Sequence, residues 1–211
     1  MESGVYGKYA AYLPQVMDLL ANDVKTYNEQ YRARYGESAY EHFLYRVKSE
    51  DSMAEKCSRK GLSVTPESAL GRIHDAIGLR IVCNFVDDVY GIVDYLRALS
   101  HVEVVEEKDY IRAVKPNGYR SYHMILRVRT PFEAAPGNPE GCYYAEVQLR
   151  TIAMDSWAAL EHQVKYKKTL SGVDLALITA ELKRCADELA SCDLSMQTIR
   201  NLIREKSEET T

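Results

Sequence analysis

The chain has 211 residues, 46% hydrophobic and 27% charged, with a formal charge of −4 at pH 7. This composition excludes collagen-like, mucin-like and wholly disordered chains, and no apolar run reaches the roughly 20 residues that a membrane span needs. Any phosphate or nucleic-acid binding must therefore come from a local basic patch.

A chain of this length can bury about 70% of the surface its unfolded form exposes, enough for one domain with helical appendages and no metal or disulfide staple. Its five cysteines (Cys57, Cys83, Cys142, Cys185, Cys192) are odd in number and form no C-x-x-C pair. The start lacks the charged and apolar regions of a secretory signal, so reduced thiols and a cytoplasmic location are expected. No Cys or His pair has zinc-ligand spacing. The 16 tyrosines, against 3 Phe and 1 Trp, suit half-buried positions that keep a hydroxyl near water.

Tyr9, Tyr12, Leu13, Val16, Leu19, Leu20, Val24, Tyr27 and Tyr31 recur at helical spacing, with Pro14 in the first turn and Gly36 beyond the end. A strand is expected over 43–48 and a short helix over 50–60, stopped by Gly61. Leu79 to Phe85 reads as a buried strand, 89–99 as a helix capped by Asp87-Asp88, and 102–106 as a strand. The stretch 108–120 is polar, basic and turn-forming around Pro116-Asn117-Gly118. Strands over 121–129 and 143–150, joined by a proline-rich loop, form an antiparallel pair. In the second strand Tyr144, Glu146, Gln148 and Arg150 share the face opposite Tyr143, Ala145, Val147 and Leu149. A helix over 152–167 carries Trp157.

Leu175, Ile178, Leu182, Cys185, Leu189, Cys192, Met196, Ile199 and Ile203 then alternate in steps of three and four. That is an a/d seam, which fixes a stripe and not its partner: the N-terminal helix or a neighbouring subunit. The tail from 206 to 211 is charged and expected to fray. Together these elements predict an α+β fold, a small mixed sheet of about five strands flanked by helices, with long helices at both ends.

Two segments concentrate positive charge: Arg46, Lys48, Lys56, Arg59 and Lys60 with Ser52, and Lys108, Arg112, Lys115 and Arg120 around Asn117-Gly118-Tyr119. Cations with an aromatic and a glycine turn suit a nucleotide, whose phosphates meet Lys and Arg while a ring or guanidinium stacks on the base. A solvated charged face has the same composition. Asp75 and Glu146, converging from separate strands, could hold Mg²⁺, which takes one or two carboxylates plus substrate phosphates. No Walker loop, G-x-S-x-G or H-E-x-x-H is present.

Arg46-Val-Lys48-Ser, Glu55-Lys56 with Arg59-Lys60-Gly61, Asp75-Ala-Ile-Gly-Leu-Arg80, Lys108-Asp-Tyr-Ile, Asn117-Gly-Tyr119-Arg-Ser-Tyr-His123, Glu146-Val-Gln148-Leu-Arg150-Thr, and Trp157 with Leu160-Glu-His162 stand in that order. Together they resemble the synthetase domain of the RelA/SpoT family, and the length resembles a small alarmone synthetase. The resemblance implies a nucleotidyltransferase-like sheet, a helical segment over 1–38, a catalytic domain over 39–169 and an oligomerising helix and tail over 170–211. It implies transfer of the β,γ-pyrophosphate of ATP to the 3′-hydroxyl of GDP or GTP, with Mg²⁺, release of AMP and formation of (p)ppGpp.

By the same resemblance Arg46 and Arg80 sandwich the adenine, and Lys48, Ser52, Lys56 and Arg59 cradle the ATP phosphates. Asp75 and Glu146 hold the metal, Glu146 activates the acceptor hydroxyl and Gln148 supports it. Tyr119 stacks on guanine, with Lys108, Lys115, Asn117 and His123 completing the acceptor site. A homotetramer through the terminal helices is implied, with no membrane or DNA partner and no particular sign of RNA binding. Two other readings share these motifs: a toxin-like relative that pyrophosphorylates the tRNA 3′ end, disfavoured by the acidic charge, and a silent nucleotide- or RNA-binding module, disfavoured by intact Asp75, Glu146 and Tyr119.

Overall fold

The computed structural model describes residues 4–166 and 175–208. After a 3₁₀ turn at Gly7–Ala11 come α1 (Leu13–Tyr35), β1 (Tyr40–Val47), α2 (Glu50–Arg59) and a π-helical turn at Glu67–Arg72. Then follow β2 (Ile77–Cys83), α3 (Val86–Ala98), β3 (Val102–Asp109), β4 (Tyr122–Arg129), β5 (Cys142–Thr151), α4 (Ile152–Tyr166) and α5 (Leu175–Glu208).

The fold is α+β. Five strands form one sheet in the order β1-β2-β5-β4-β3, antiparallel throughout except for the parallel neighbours β2 and β5. One sheet face is apolar: Ile77, Leu79, Ile81, Met124, Leu126, Val147 and Leu149 are almost wholly buried with Val16, Leu20 and Val24 of α1 and Val89, Ile92 and Leu96 of α3. At about 0.8 kcal/mol per buried methylene, this shared core is the main stabilising term.

Helix α1 begins later than its apolar spacing suggests, because Tyr9 belongs to the 3₁₀ turn, and it ends at Gly36 in the left-handed conformation (φ 74°). Helix α3 starts earlier than expected. Asp88, rather than being the cap itself, reaches back to accept the Phe85 N–H at 3.1 Å. Strand β3 runs on to Asp109 through an irregularity between Val104 and Glu106, taking in residues that read as turn.

The long helix α5 packs on its own chain through a stripe that the apolar spacing marks only in part, since Ile178, Leu182 and Leu189 of the seam are half-buried. Ala186, Gln197 and Arg200 are buried, whereas Cys185 and Cys192 are exposed and Met196, Ile199 and Ile203 are 50–61% exposed. Arg200 donates to both oxygens of Asp88 (2.8 and 2.9 Å), and Tyr31 donates to Asp88 at 2.7 Å, tying α5 to α3 and α1. The expected helix end at Lys167, the boundary at 169/170 and the tail residues 209–211 lie outside the described residues.

Candidate active site

The sheet face opposite the core carries the polar residues, and the strand register sets them in rows. Arg46, Gly78, Glu146 and Ile125 lie side by side across β1, β2, β5 and β4. The next row is Leu44, Arg80, Gln148, His123 and Lys108, extending to β3. Alternation on β5 puts Glu146, Gln148 and Arg150 on this face, as the sequence pattern predicts.

A cavity of about 530 Å³ opens here, lined by Arg46, Lys48, Asp75, Arg80, Glu146 and Gln148. Asp75 enters just before β2, and the parallel pairing of β2 with β5 brings it to the same cavity as Glu146. Gly78 forms part of the floor: a side chain there would meet nothing within 4 Å, so its absence keeps space open between Arg46 and Glu146.

The Asp75 Oδ2 atom accepts from Lys48 and, at 2.5 Å, from Lys56. Burial raises the Asp75 pKa, but the two ammonium groups outweigh it and hold the carboxyl below its ordinary value. Asp75 Oδ1 is buried with no hydrogen-bond partner. An unsatisfied carboxylate oxygen beside a second carboxylate fits a hard divalent cation. No group of three or more His, Cys, Asp or Glu side chains capable of holding a metal occurs among the described residues, so substrate oxygens would supply the remaining ligands. Lys48 is itself anchored: its N–H bonds Ala76 O (2.8 Å) and its carbonyl accepts from the Tyr6 hydroxyl (2.8 Å). Tyr6 carries no signal in the spacing of the motifs, because its role depends on a contact 42 residues away.

Glu146 is partly buried, and its Oε1 lies 3.5 Å from His123 Nδ1. The hydrogen bond from His123, helped by Gln148, lowers its pKa against burial and the field of Asp75. The other ring nitrogen of His123, Nε2, lies 2.9 Å from Tyr119 Oη, and Arg150 donates to that same oxygen at 2.9 Å. In a neutral imidazole these contacts fit one tautomer, with Nδ1–H toward Glu146 and Nε2 accepting from the Tyr119 hydroxyl. Arg150 is 7% exposed and also donates to Asp155 (3.0 Å) and Gln148 (3.4 Å), making it a positioning residue that the motifs contain without naming a role for it.

The remaining candidates divide. Lys115 sits over the Tyr110 and Tyr119 rings (4.3 and 4.9 Å). Asn117 bonds Glu161 at 3.3 Å and caps the turn by accepting the Tyr119 N–H at 3.2 Å. Lys108 pairs with Glu106 (2.6 Å) beside His123 in the register. None of Ser52, Lys56 and Arg59 on α2 lines the cavity: Lys56 reaches it through its bond to Asp75, Ser52 lies in the capped first turn and Arg59 is exposed in the last. Arg120 leaves the basic cluster altogether, because its guanidinium is taken by α5.

Residues 45–171 match the family described as RelA_SpoT, a region found in RelA / SpoT proteins. The chain is 37% identical over 184 residues to the GTP pyrophosphokinase YwaC of Bacillus subtilis (strain 168), covering 87% of this chain and 85% of that protein. The crystal structure of small alarmone synthetase 2 from Bacillus subtilis superposes with a TM-score of 0.74 at 36% identity, covering 90% of this chain and 95% of that one. Small alarmone synthetase 1 from the same organism, bound to its product pppGpp, gives 0.75 at 31% identity over 93% and 96%. Matched along most of its length in sequence and in fold, the chain belongs to the RelA/SpoT family and, within it, to the small alarmone synthetases, enzymes of the GTP pyrophosphokinase class.

Proposed function

We propose that this chain transfers the β,γ-pyrophosphate of ATP to the 3′-hydroxyl of GDP or GTP, with Mg²⁺ as its metal. The observation carrying this reading is the cavity shared by Asp75, Glu146 and Lys48, with Lys56 bonded to Asp75 and, beside Glu146, His123 in contact with Tyr119. Arg46 and Arg80, on adjacent strands, clasp the adenine. Lys48 and Lys56 turn from Asp75 to the phosphate oxygens as the triphosphate enters. Tyr119 stacks on guanine, and Lys108 and Lys115 meet the acceptor's phosphates.

The acceptor's 3′-oxygen attacks the β-phosphorus of ATP. A new O–P bond forms, the bond from the β-phosphorus to the α,β-bridging oxygen breaks, and AMP leaves with that oxygen. Glu146 takes the hydroxyl proton as a carboxylate, and His123 and Gln148 hold it in line. Asp75 and Glu146 would hold the metal, which supplies charge neutralisation at the reacting phosphates.

The enzyme works in the cytoplasm as a homotetramer joined by its terminal helices, a reading supported by the exposed Met196, Ile199 and Ile203 on α5. Among the described residues no helix is long and apolar enough to cross a membrane. AMP release from ATP with Mg²⁺ and GDP, GTP, GMP or tRNA as acceptor tests the assignment. Release with GDP or GTP supports it, and labelling of tRNA alone or no release at all overturns it. Light scattering across a concentration series tests the assembly.

A further inference from the structure

The turn at 115–121 is held at the sheet by Arg150 of β5 and His123 of β4 on the Tyr119 hydroxyl and by Ser121 on Leu149 O, and two helices hold its backbone. On one side it bonds α4 through Asn117 and Glu161. On the other it lies on α5. Arg120, with a side chain only 15% exposed, donates to Ala186 O (3.2 Å) and to Asp187 Oδ1 (2.8 Å), and also to Gly118 O within the turn (3.2 Å).

Gly118 approaches the helix so closely that a Cβ on it would lie 2.6 Å from the Ala186 Cβ and 3.0 Å from the Lys183 Cα. Its φ of 92° also disfavours any side chain. Next to this contact Trp157 of α4 donates to Leu182 O of α5 at 2.9 Å, and its ring lies 6.4 Å from that of Tyr119. Residues 182–187 of α5 therefore form a seat for the turn, in helix sequence that carries none of the family motifs.

We propose that Ala186 and Asp187 of α5 are positioning residues for the guanine-nucleotide acceptor: they hold the 117–120 turn so that the Tyr119 ring meets the base, with no part in ATP binding. This rests on the acceptor role given to Tyr119 above. Arg120 follows Tyr119 directly, and its anchors on α5 fix the backbone on the C-terminal side of the ring, as Asn117 does on the N-terminal side. Arg46, Lys48 and Arg80, at the ATP end, lie on strands and bonds that α5 does not touch through this pair.

The test is a double-mutant cycle on the full-length chain with Arg120→Ala, Asp187→Ala and both together. GDP and ATP KM values are taken from AMP release, and GDP binding is followed separately by Trp157 fluorescence. Each single variant is expected to raise the GDP KM and the GDP dissociation constant about tenfold, leaving the ATP KM within about twofold and the melting temperature close to that of the unsubstituted chain. The double variant is expected to be no worse than the worse single one. An unchanged GDP KM, a parallel rise in both KM values, or additive effects would overturn the proposal while leaving the synthetase reading intact. An unsubstituted chain that binds no GDP and releases no AMP would overturn both.

Discussion

His123 stands between the two halves of the site: its Nδ1 lies 3.5 Å from Glu146 Oε1 and its Nε2 2.9 Å from Tyr119 Oη. One imidazole thereby touches both Glu146, the proposed general base, and Tyr119, the aromatic proposed to receive the acceptor. Replacing it with alanine is expected to lower kcat about 10–100-fold, the usual effect of losing a group that orients a reacting residue. The ATP KM should be nearly unchanged. Steady-state AMP release would show this, and an equal loss in both parameters would contradict the orienting role.

Glu146→Gln keeps the shape of the side chain and removes its ability to take a proton. Transfer is expected to fall by about 10²–10⁴-fold, the range for a lost general base. Calorimetry should still detect ATP binding, because Arg46, Arg80, Lys48 and Lys56 remain. Near-normal turnover would remove Glu146 from the mechanism.

Tyr119 offers a ring and a hydroxyl, and two variants separate them. Tyr119→Ala loses the stack, worth about 1–3 kcal/mol by analogy with base–aromatic stacking, and should raise the acceptor KM far more than the ATP KM. Tyr119→Phe keeps the ring but breaks the bonds to His123 and Arg150. It should lower kcat at a nearly normal acceptor KM. If both variants behaved alike, the stack would carry none of the affinity.

Asp75 makes acid stability a readout of the Lys48–Lys56 pair. A carboxyl whose pKa is lower in the folded chain stabilises the fold above its unfolded value, near 3.8, and that contribution disappears as pH falls through the depressed value. Melting temperatures measured from about pH 6 to pH 3 should fall for the unsubstituted chain, and part of that fall should be missing in Asp75→Asn. Parallel curves would mean that the two ammonium groups do not engage Asp75 in solution.

Arg200→Ala leaves the Asp88 carboxylate buried (3% exposed) without its guanidinium. Breaking such a pair from one side costs about 3–5 kcal/mol, readable by urea unfolding. A loss below about 1 kcal/mol would show the pair to be as weak as an exposed one.

The polar face was legible in the sequence because alternation is a local property: Glu146, Gln148 and Arg150 sit two residues apart, and the strand needs no distant partner to aim them together. The meeting of Asp75 with Glu146 required knowing that β2 pairs with β5, a register that sequence periodicity does not encode. Helix α5 was legible only in part. Its apolar spacing is regular, but the surface it buries on its own chain uses Gln197 and Arg200, whose burial depends on Asp87 and Asp88 more than a hundred residues earlier. Counting apolar residues cannot see a polar stripe whose partners are remote. The tyrosine excess has a similar origin: Tyr6, Tyr31, Tyr119 and Tyr143 each use the hydroxyl in a bond that phenylalanine could not make.

The lone parallel pairing in an otherwise antiparallel sheet has a practical corollary. Asp75 stands two residues before the rung on which Ile77 meets Ala145, so the approach of the two acids follows from that backbone pairing and not from the chain that joins β4 to β5. A tag or reporter could enter only at the exposed tip around Pro139 and Glu140, because Phe132 stacks on Tyr12 of the turn before α1 and Ala135 is 1% exposed, so the rest of the connector is itself part of the packing.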